Sequence, residues 1–291
     1  TFISTANAAL MVNAKSRFID IETDTYGMDP KILEKSISKK SKIIMPIHYS
    51  GLPCQIDRIR SIARKNKKLL IEDSAESLGA EINSKKVGTF GDASIFSFAG
   101  NKVLTTGEGG AVTTNSSKLY KKFKLIRSHG RKVENYFLST KKSEYVELGY
   151  NWRMSSITAA IGLSQLNKIE KLISLRRKNA ESLSSHLKKI PDIRLPPEPK
   201  NCKHVFQLYS ILLTNQSIRN KLQEYLTSKG IMSKVFFYPV HLSTYYNQKN
   251  HRPSLRTTES ISKRILSLPM YPNMKKEEIQ LIYETIFEFF E

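Results

Sequence analysis

Three short, largely apolar runs, at residues 43–47, 69–71 and 95–98, constrain this chain more than any other feature. Runs of this length read as strands buried on both faces rather than half-exposed ones. Between the first two lies a segment, 55–67, in which Ile56, Ile59, Ile62 and Ala63 recur at helical spacing. A second helix is expected over 30–38 and a further strand over 14–21. Strands alternating with helices over short loops imply an α/β fold, with a largely parallel sheet covered on both faces. Open sheets of this kind bind their ligands beyond the carboxyl ends of the strands.

Beyond residue 150 the pattern changes. Ala159, Leu163, Leu166, Ile169 and Ile173 predict one long amphipathic helix, entered through Ser155 and Ser156 as capping residues. Arg176, Arg177 and Lys178 would form its basic end, complementing the helix dipole. The proline-rich stretch 195–200 then separates this region from a strand over 205–213, a helix over 219–229 and a final amphipathic helix over 277–289. The expected organisation is a large domain over 1–175 and a smaller α+β domain over 176–291.

The carboxyl ends of the apolar runs carry the chemistry. Asp73 follows the second run, where it could cap a helix, bind a metal or meet a ligand. Lys102 follows the third, beside a Thr-Thr-Gly-Glu-Gly-Gly turn (105–110) that lets backbone approach a ligand closely. A lysine at the mouth of a packed element is either an ordinary solvated cation or, when partly desolvated, a usable amine nucleophile. The two together suit pyridoxal phosphate chemistry. There a lysine carries the cofactor covalently and a carboxylate keeps its ring nitrogen protonated, so that the ring absorbs carbanion electrons.

Five ordered motifs extend this pairing along almost the whole chain: PIHYSGLPCQID (46–57), IEDSAESLGA (71–80), GDASIFSFAGNK (91–102) with its glycine-rich tail, YNWRM (150–154) with AAIGLSQL (159–166), and FYPVH (237–241). Together they resemble the DegT/StrS-type sugar-nucleotide aminotransferases, enzymes of the pyridoxal-phosphate-dependent transferase fold type I. The resemblance implies roles residue by residue. Lys102 would carry pyridoxal 5'-phosphate and act as the catalytic base. Asp73 would face the ring nitrogen, Glu76 would lie by the ring hydroxyl, and Ser97 would bind the phosphate. Phe2 would stack on the ring, and Asn151 would reach the phosphate of a neighbouring subunit's cofactor, making the enzyme a homodimer with shared active sites. Tyr238 and His241 would lie on the substrate side or else be ordinary packed residues. The implied reaction moves an amino group from an amino-acid donor, usually glutamate, to a keto-sugar of a nucleoside-diphosphate sugar, for amino-sugar and surface-polysaccharide biosynthesis. Glu76 and the wording of the Lys102 loop look closest to perosamine-synthase-like members. Family members that dehydrate instead carry histidine in place of this lysine. Relatives also have a preceding segment with a Gly-Thr pair that binds the cofactor phosphate, so an N-terminally truncated member is expected here. A truncated chain of this fold could alternatively serve as a catalytically silent binding or regulatory protein.

Composition adds limits. The two cysteines, Cys54 and Cys202, have neither metal-ligand nor disulfide-framework spacing, so no metal and a cytoplasmic setting are expected, with Cys54 structural. No apolar run is long enough for a membrane span. A net charge of +21 invites a nucleic-acid reading. The cations, however, are spread over helix-like faces, in clusters such as 64–68, 121–124 and the pair Lys141 and Lys142, and a solvated lysine-rich surface without nucleic-acid binding is expected.

Overall fold

The computed structural model describes residues 1–132, 140, 144–249 and 253–291, so the Lys141 and Lys142 pair lies outside the described residues. The three apolar runs form the heart of a four-stranded sheet. Strands Ile43–Ile44, Leu69–Asp73 and Ala93–Ser97 lie side by side and parallel, and Gly110–Thr113 adds an antiparallel edge. In register, Asp73 lies opposite Ile95, and Ile47 bridges Asp73 from the other side. The carboxyl ends of three parallel strands therefore meet at one place.

Helix Ile56–Lys65 covers one face of this sheet, because its spacing brings Ile56, Ile59 and Ala63 to one side, where they pack with Leu33, Ile44, Cys54 and Leu70. Helix Pro30–Ser36 starts as its sequence demands, with proline in the first turn and the Asp29 carboxylate accepting from the Lys31 and Ile32 N–H groups. The connection from Asp73 to Ala93 carries no helix. It contains a hairpin, Glu81–Ile82 with Lys85–Lys86, that pairs with Cys202–Lys203 from the distal part of the chain.

A second, antiparallel sheet orders Ile265–Leu268, Tyr209–Leu213 and Ile193–Arg194. Tyr209–Leu213 is buried along its whole length. Its core includes Ala180, Leu183, Leu187, Leu222, Leu226, Ile279 and Ile286, drawn from helices Ile169–Leu187, Gln216–Ser228 and Lys276–Phe290.

Four expectations fail for identifiable reasons. The parallel strands are not buried on both faces: Ile44 and Leu70 pack with helix Ile56–Lys65, whereas Ile43, Leu69 and Ile95, on the alternate face, are exposed, because an apolar run shows no alternation even where only one face is covered. Residues 14–21 form no strand: only Ile21 makes an isolated bridge, to Met28. Phe18 and Ile19 are partly buried by packing instead, Phe18 beside Val240 and Tyr246 and Ile19 on the parallel-sheet core. The long helix is two helices, Ser156–Leu166 and Ile169–Leu187, parted where Lys168 leaves helical geometry. Helical periodicity continues through the break, so spacing alone does not register it. Because the second helix runs on to Leu187, Arg176, Arg177 and Lys178 lie mid-helix and not at a basic end. Arg176 is buried and donates to the Phe206 and Met270 carbonyl oxygens, and Arg177 donates to the His204 carbonyl oxygen. These two arginines tie the helix to the chain leading into the second sheet. Ile173 belongs to a cluster with Ala80, Val103 and Val205, whereas Ala180 and Leu183 belong to the second-sheet core, so this one helix serves both.

Candidate active site

The site is assembled where strands Leu69–Asp73 and Ala93–Ser97 end. Asp73 is buried, and its backbone is clamped on both sides: its N–H donates to the Pro46 carbonyl oxygen, and its carbonyl oxygen accepts from the His48 N–H. The Asp73 carboxylate accepts from the Thr5 hydroxyl at 2.6 Å and from the Ala75 N–H at 3.1 Å. Neither a helix cap nor a metal accounts for it, since no helix starts there and the described residues hold no cluster of metal-ligating side chains.

Lys102 lies in the loop after Ala93–Ser97, with its side chain only 14% exposed and its Nζ 3.5 Å from Glu76 Oε1. Of the two readings of this lysine, the partly desolvated one fits. Glu76 is itself held, because its other oxygen accepts from the Ser50 N–H at 2.8 Å. Ser50 adopts a left-handed backbone, φ 64°, which aims that N–H, and its hydroxyl is tied to the Leu208 carbonyl oxygen. Gly51 follows at φ 93°, packed so closely that a Cβ would sit 2.7 Å from Val205 Cγ2 and 2.9 Å from the Gln207 nitrogen. The 205–208 segment thus closes over both site loops, and Gln207 Nε2 donates to the Asn101 carbonyl oxygen at 2.6 Å, next to Lys102.

Phe2 stands before helix Ser4–Met11, three residues from Thr5, with its ring 59% exposed and its edge contact on Phe237 of the FYPVH motif. Ser97 ends the central strand; its hydroxyl accepts from the Ala99 N–H, which leaves its proton to donate elsewhere. Asn151 lies apart, exposed on a segment bridged to Ser128. Tyr238 is exposed, and His241 is buried against Glu259, 3.1 Å away, and Phe18. Neither shares a described hydrogen bond with Lys102, Glu76 or Asp73.

Behind the site runs a buried network that the sequence motifs do not single out. Glu72, fully buried, accepts from the N–H groups of Gly88, Phe90 and Gly91 and from His48 Nε2. The Cys54 N–H donates to His48 Nδ1, which places the ring proton on Nε2. Burial alone would push the Glu72 carboxyl up; the bond from His48 and those from the Gly91 and Gly88 N–H groups outweigh it and hold the group below the ordinary carboxylate range. Cys54 is structural here, as part of this network. Thr5 and Gln207 lie outside the five motifs, whereas His48, Ser50 and Glu72 lie inside them without any local pattern that assigns their partners, which sit elsewhere along the chain.

The donor set fits pyridoxal phosphate: a poorly solvated amine, a buried carboxylate for a protonated ring nitrogen, an aromatic face and a hydroxyl with a free proton. Comparison with known proteins agrees with it. Residues 1–287 match the family model described as the DegT/DnrJ/EryC1/StrS aminotransferase family. The chain is 34% identical to GDP-perosamine synthase of Escherichia coli O157:H7 over 290 residues, 100% of this chain and 77% of the relative, and 32% identical to that of Vibrio cholerae, covering 100% and 78%. Among solved structures it resembles Helicobacter pylori PseC, an aminotransferase involved in the biosynthesis of pseudoaminic acid, with a TM-score of 0.94, 32% identity and coverage of 100% and 77%. A DegT DnrJ EryC1 StrS aminotransferase from Brucella abortus is similar at a TM-score of 0.89 and 30% identity, covering 99% of this chain and 77% of that one. The chain therefore belongs to the DegT/DnrJ/EryC1/StrS family of pyridoxal-phosphate-dependent sugar aminotransferases.

Proposed function

We propose that this chain transfers an amino group from an amino acid, glutamate in the reading taken from the family, to the keto group of a nucleoside-diphosphate sugar. The observation that carries the reading is the convergence of Lys102, Glu76 and Asp73 at the ends of adjacent parallel strands. Likeness to the two GDP-perosamine synthases supports a GDP-linked deoxysugar with its keto group at position 4.

Pyridoxal phosphate, when bound, supplies the electron sink that makes amino-group transfer possible. The residues supply position and proton handling. Lys102 would carry the cofactor, and its Nζ, when free, would take and return a proton. Glu76, braced by Ser50, holds that nitrogen's proton in place between these events. Asp73 would supply negative charge for the ring nitrogen, Phe2 would offer the ring a flat apolar surface, and the Ser97 hydroxyl would donate to the phosphate.

Asn151 acts across a dimer in this reading. Helix Ser156–Leu166 buries none of its residues and exposes Ile157, Ile161 and Leu163. The neighbouring segment exposes Tyr145, Leu148 and Trp152, the last stacked on Tyr150 with ring centroids 4.1 Å apart. Apolar surface so continuous in sequence, with Asn151 inside it, is suited to burial against a second copy. We also place the boundary between the large and small units near residue 175, within helix Ile169–Leu187. No described helix is long and apolar enough to cross a membrane.

The test is the visible absorption spectrum after incubation with pyridoxal phosphate, beside Lys102→Ala. A band present in the parent and missing in the variant, with transamination of a GDP-linked keto-sugar lost in the variant, is expected. Retained turnover in Lys102→Ala, or no band in the parent, would overturn the assignment.

A further inference from the structure

We propose that Thr5 is a positioning residue for Asp73, its hydroxyl fixing the carboxylate in the orientation that meets the cofactor's ring nitrogen. This inference rests on the function proposed above.

The sheet fixes the backbone of Asp73 but leaves its side chain free to rotate. Only two described groups hold the carboxylate, the Thr5 hydroxyl on Oδ2 and the Ala75 N–H on Oδ1. The Ala75 N–H belongs to the turn that follows Asp73 itself, so Thr5 is the one described hold from a separate part of the chain. The O–H to O separation of 2.6 Å lies in the range of bonds to an ionised acceptor. A carboxylate only accepts, so the Thr5 proton is committed to it. The Thr5 oxygen then remains an acceptor for the Thr1 hydroxyl, 3.1 Å away. Thr5 is β-branched and helical, with few side-chain conformers available. The Thr5 N–H also donates to the Phe2 carbonyl oxygen. One short stretch therefore delivers both the ring that would stack on the cofactor and the hydroxyl that aims its carboxylate.

A purely structural role, docking helix Ser4–Met11 onto the sheet, would depend on the shape of Thr5 rather than its proton. Thr5→Val keeps the shape and deletes the hydroxyl, whereas Thr5→Ser keeps the hydroxyl and deletes the methyl. Cofactor affinity is measured by equilibrium dialysis, and the protonation of ring-15N-labelled pyridoxal phosphate by NMR, with melting curves confirming that each variant folds. We expect Thr5→Val to weaken cofactor binding about ten-fold, the effect of one charge-assisted hydrogen bond. Its 15N signal should also move toward the unprotonated position. Thr5→Ser should stay within about two-fold of the parent. In an Asp73→Asn background, Thr5→Val should cost much less than it does in the parent, because the two side chains act as a pair. Parent-like affinity and 15N signal in Thr5→Val, equal losses in Val and Ser, or the same loss in both backgrounds would each overturn the proposal. If Thr5→Val does not fold, the comparison of Thr5→Ser with the parent decides, and a loss near ten-fold in Ser refutes it. A parent with no Lys102-dependent band removes the proposed function and this inference together, whereas a parent with the band and a parent-like Thr5→Val removes this inference alone.

Discussion

Glu72→Gln should be among the most damaging single-atom changes available behind the site. In the parent, Glu72 Oε1 accepts from Phe90 and Gly91 at 2.7 Å each, and Oε2 from Gly88 at 2.8 Å and His48 Nε2 at 3.1 Å. Whichever way a glutamine amide is turned, its NH2 faces two donors. His48 cannot relieve the conflict by moving its proton, because Nδ1 already accepts from the Cys54 N–H. Two charge-assisted bonds are lost, at about 1.5–3 kcal/mol each, for a total of roughly 3–6 kcal/mol. That is a large fraction of the about 5–15 kcal/mol that stabilises a whole protein. At about 2 °C per kcal/mol for a chain of this size, Tm should fall by about 6–12 °C at pH 7. The sign of the pH dependence follows from the depressed Glu72 group. Its contribution is complete above the ordinary carboxylate range and is lost as pH falls through the lower native value, so the gap between parent and variant should narrow below about pH 4. Differential scanning calorimetry across pH 3–8 reads both effects. A variant melting within about 2 °C of the parent at pH 7, or a gap independent of pH, would refute the account.

Three further outcomes are expected. Gly51→Ala should destabilise by about 2–4 kcal/mol in urea unfolding, since it adds left-handed strain and a clash with Val205 and Gln207. Arg176→Ala should cost at least about 2 kcal/mol in the same assay, because the Phe206 and Met270 carbonyl oxygens lose their described donor. If Asn151 serves a partner's site, mixing Lys102→Ala and Asn151→Ala chains should restore about a quarter of parental activity, through hybrid dimers with one intact site; Leu163→Glu should abolish that recovery and give a monomer in sedimentation.

Much of the site is legible in the amino-acid sequence, because its chemistry sits where local pattern is strongest. Leu69–Asp73 and Ala93–Ser97 are short apolar strands with few alternatives, and Asp73, Ser97 and Lys102 follow from being at or just past their ends. Residues 14–21 mislead because apolar residues such as Phe18 and Ile19 can be sheltered by packing as readily as by strand pairing. Arg176 misleads because a cation near an expected helix end has an adequate local explanation, while its actual partners lie 30 and 94 residues further along the chain.

Sequence alone determined the elements that local forces specify: the parallel strands, helix Ile56–Lys65, and the lysine and carboxylate at strand ends. Tertiary structure alone decided how those groups are held. Thr5 meets Asp73 across 68 positions, Ser50 aims its N–H at Glu76 across 26, and Gln207 reaches Asn101 across 106. A hydrogen bond requires two groups within about 3 Å of each other. No periodicity or propensity in a one-dimensional chain records which distant residues the packed core will bring that close.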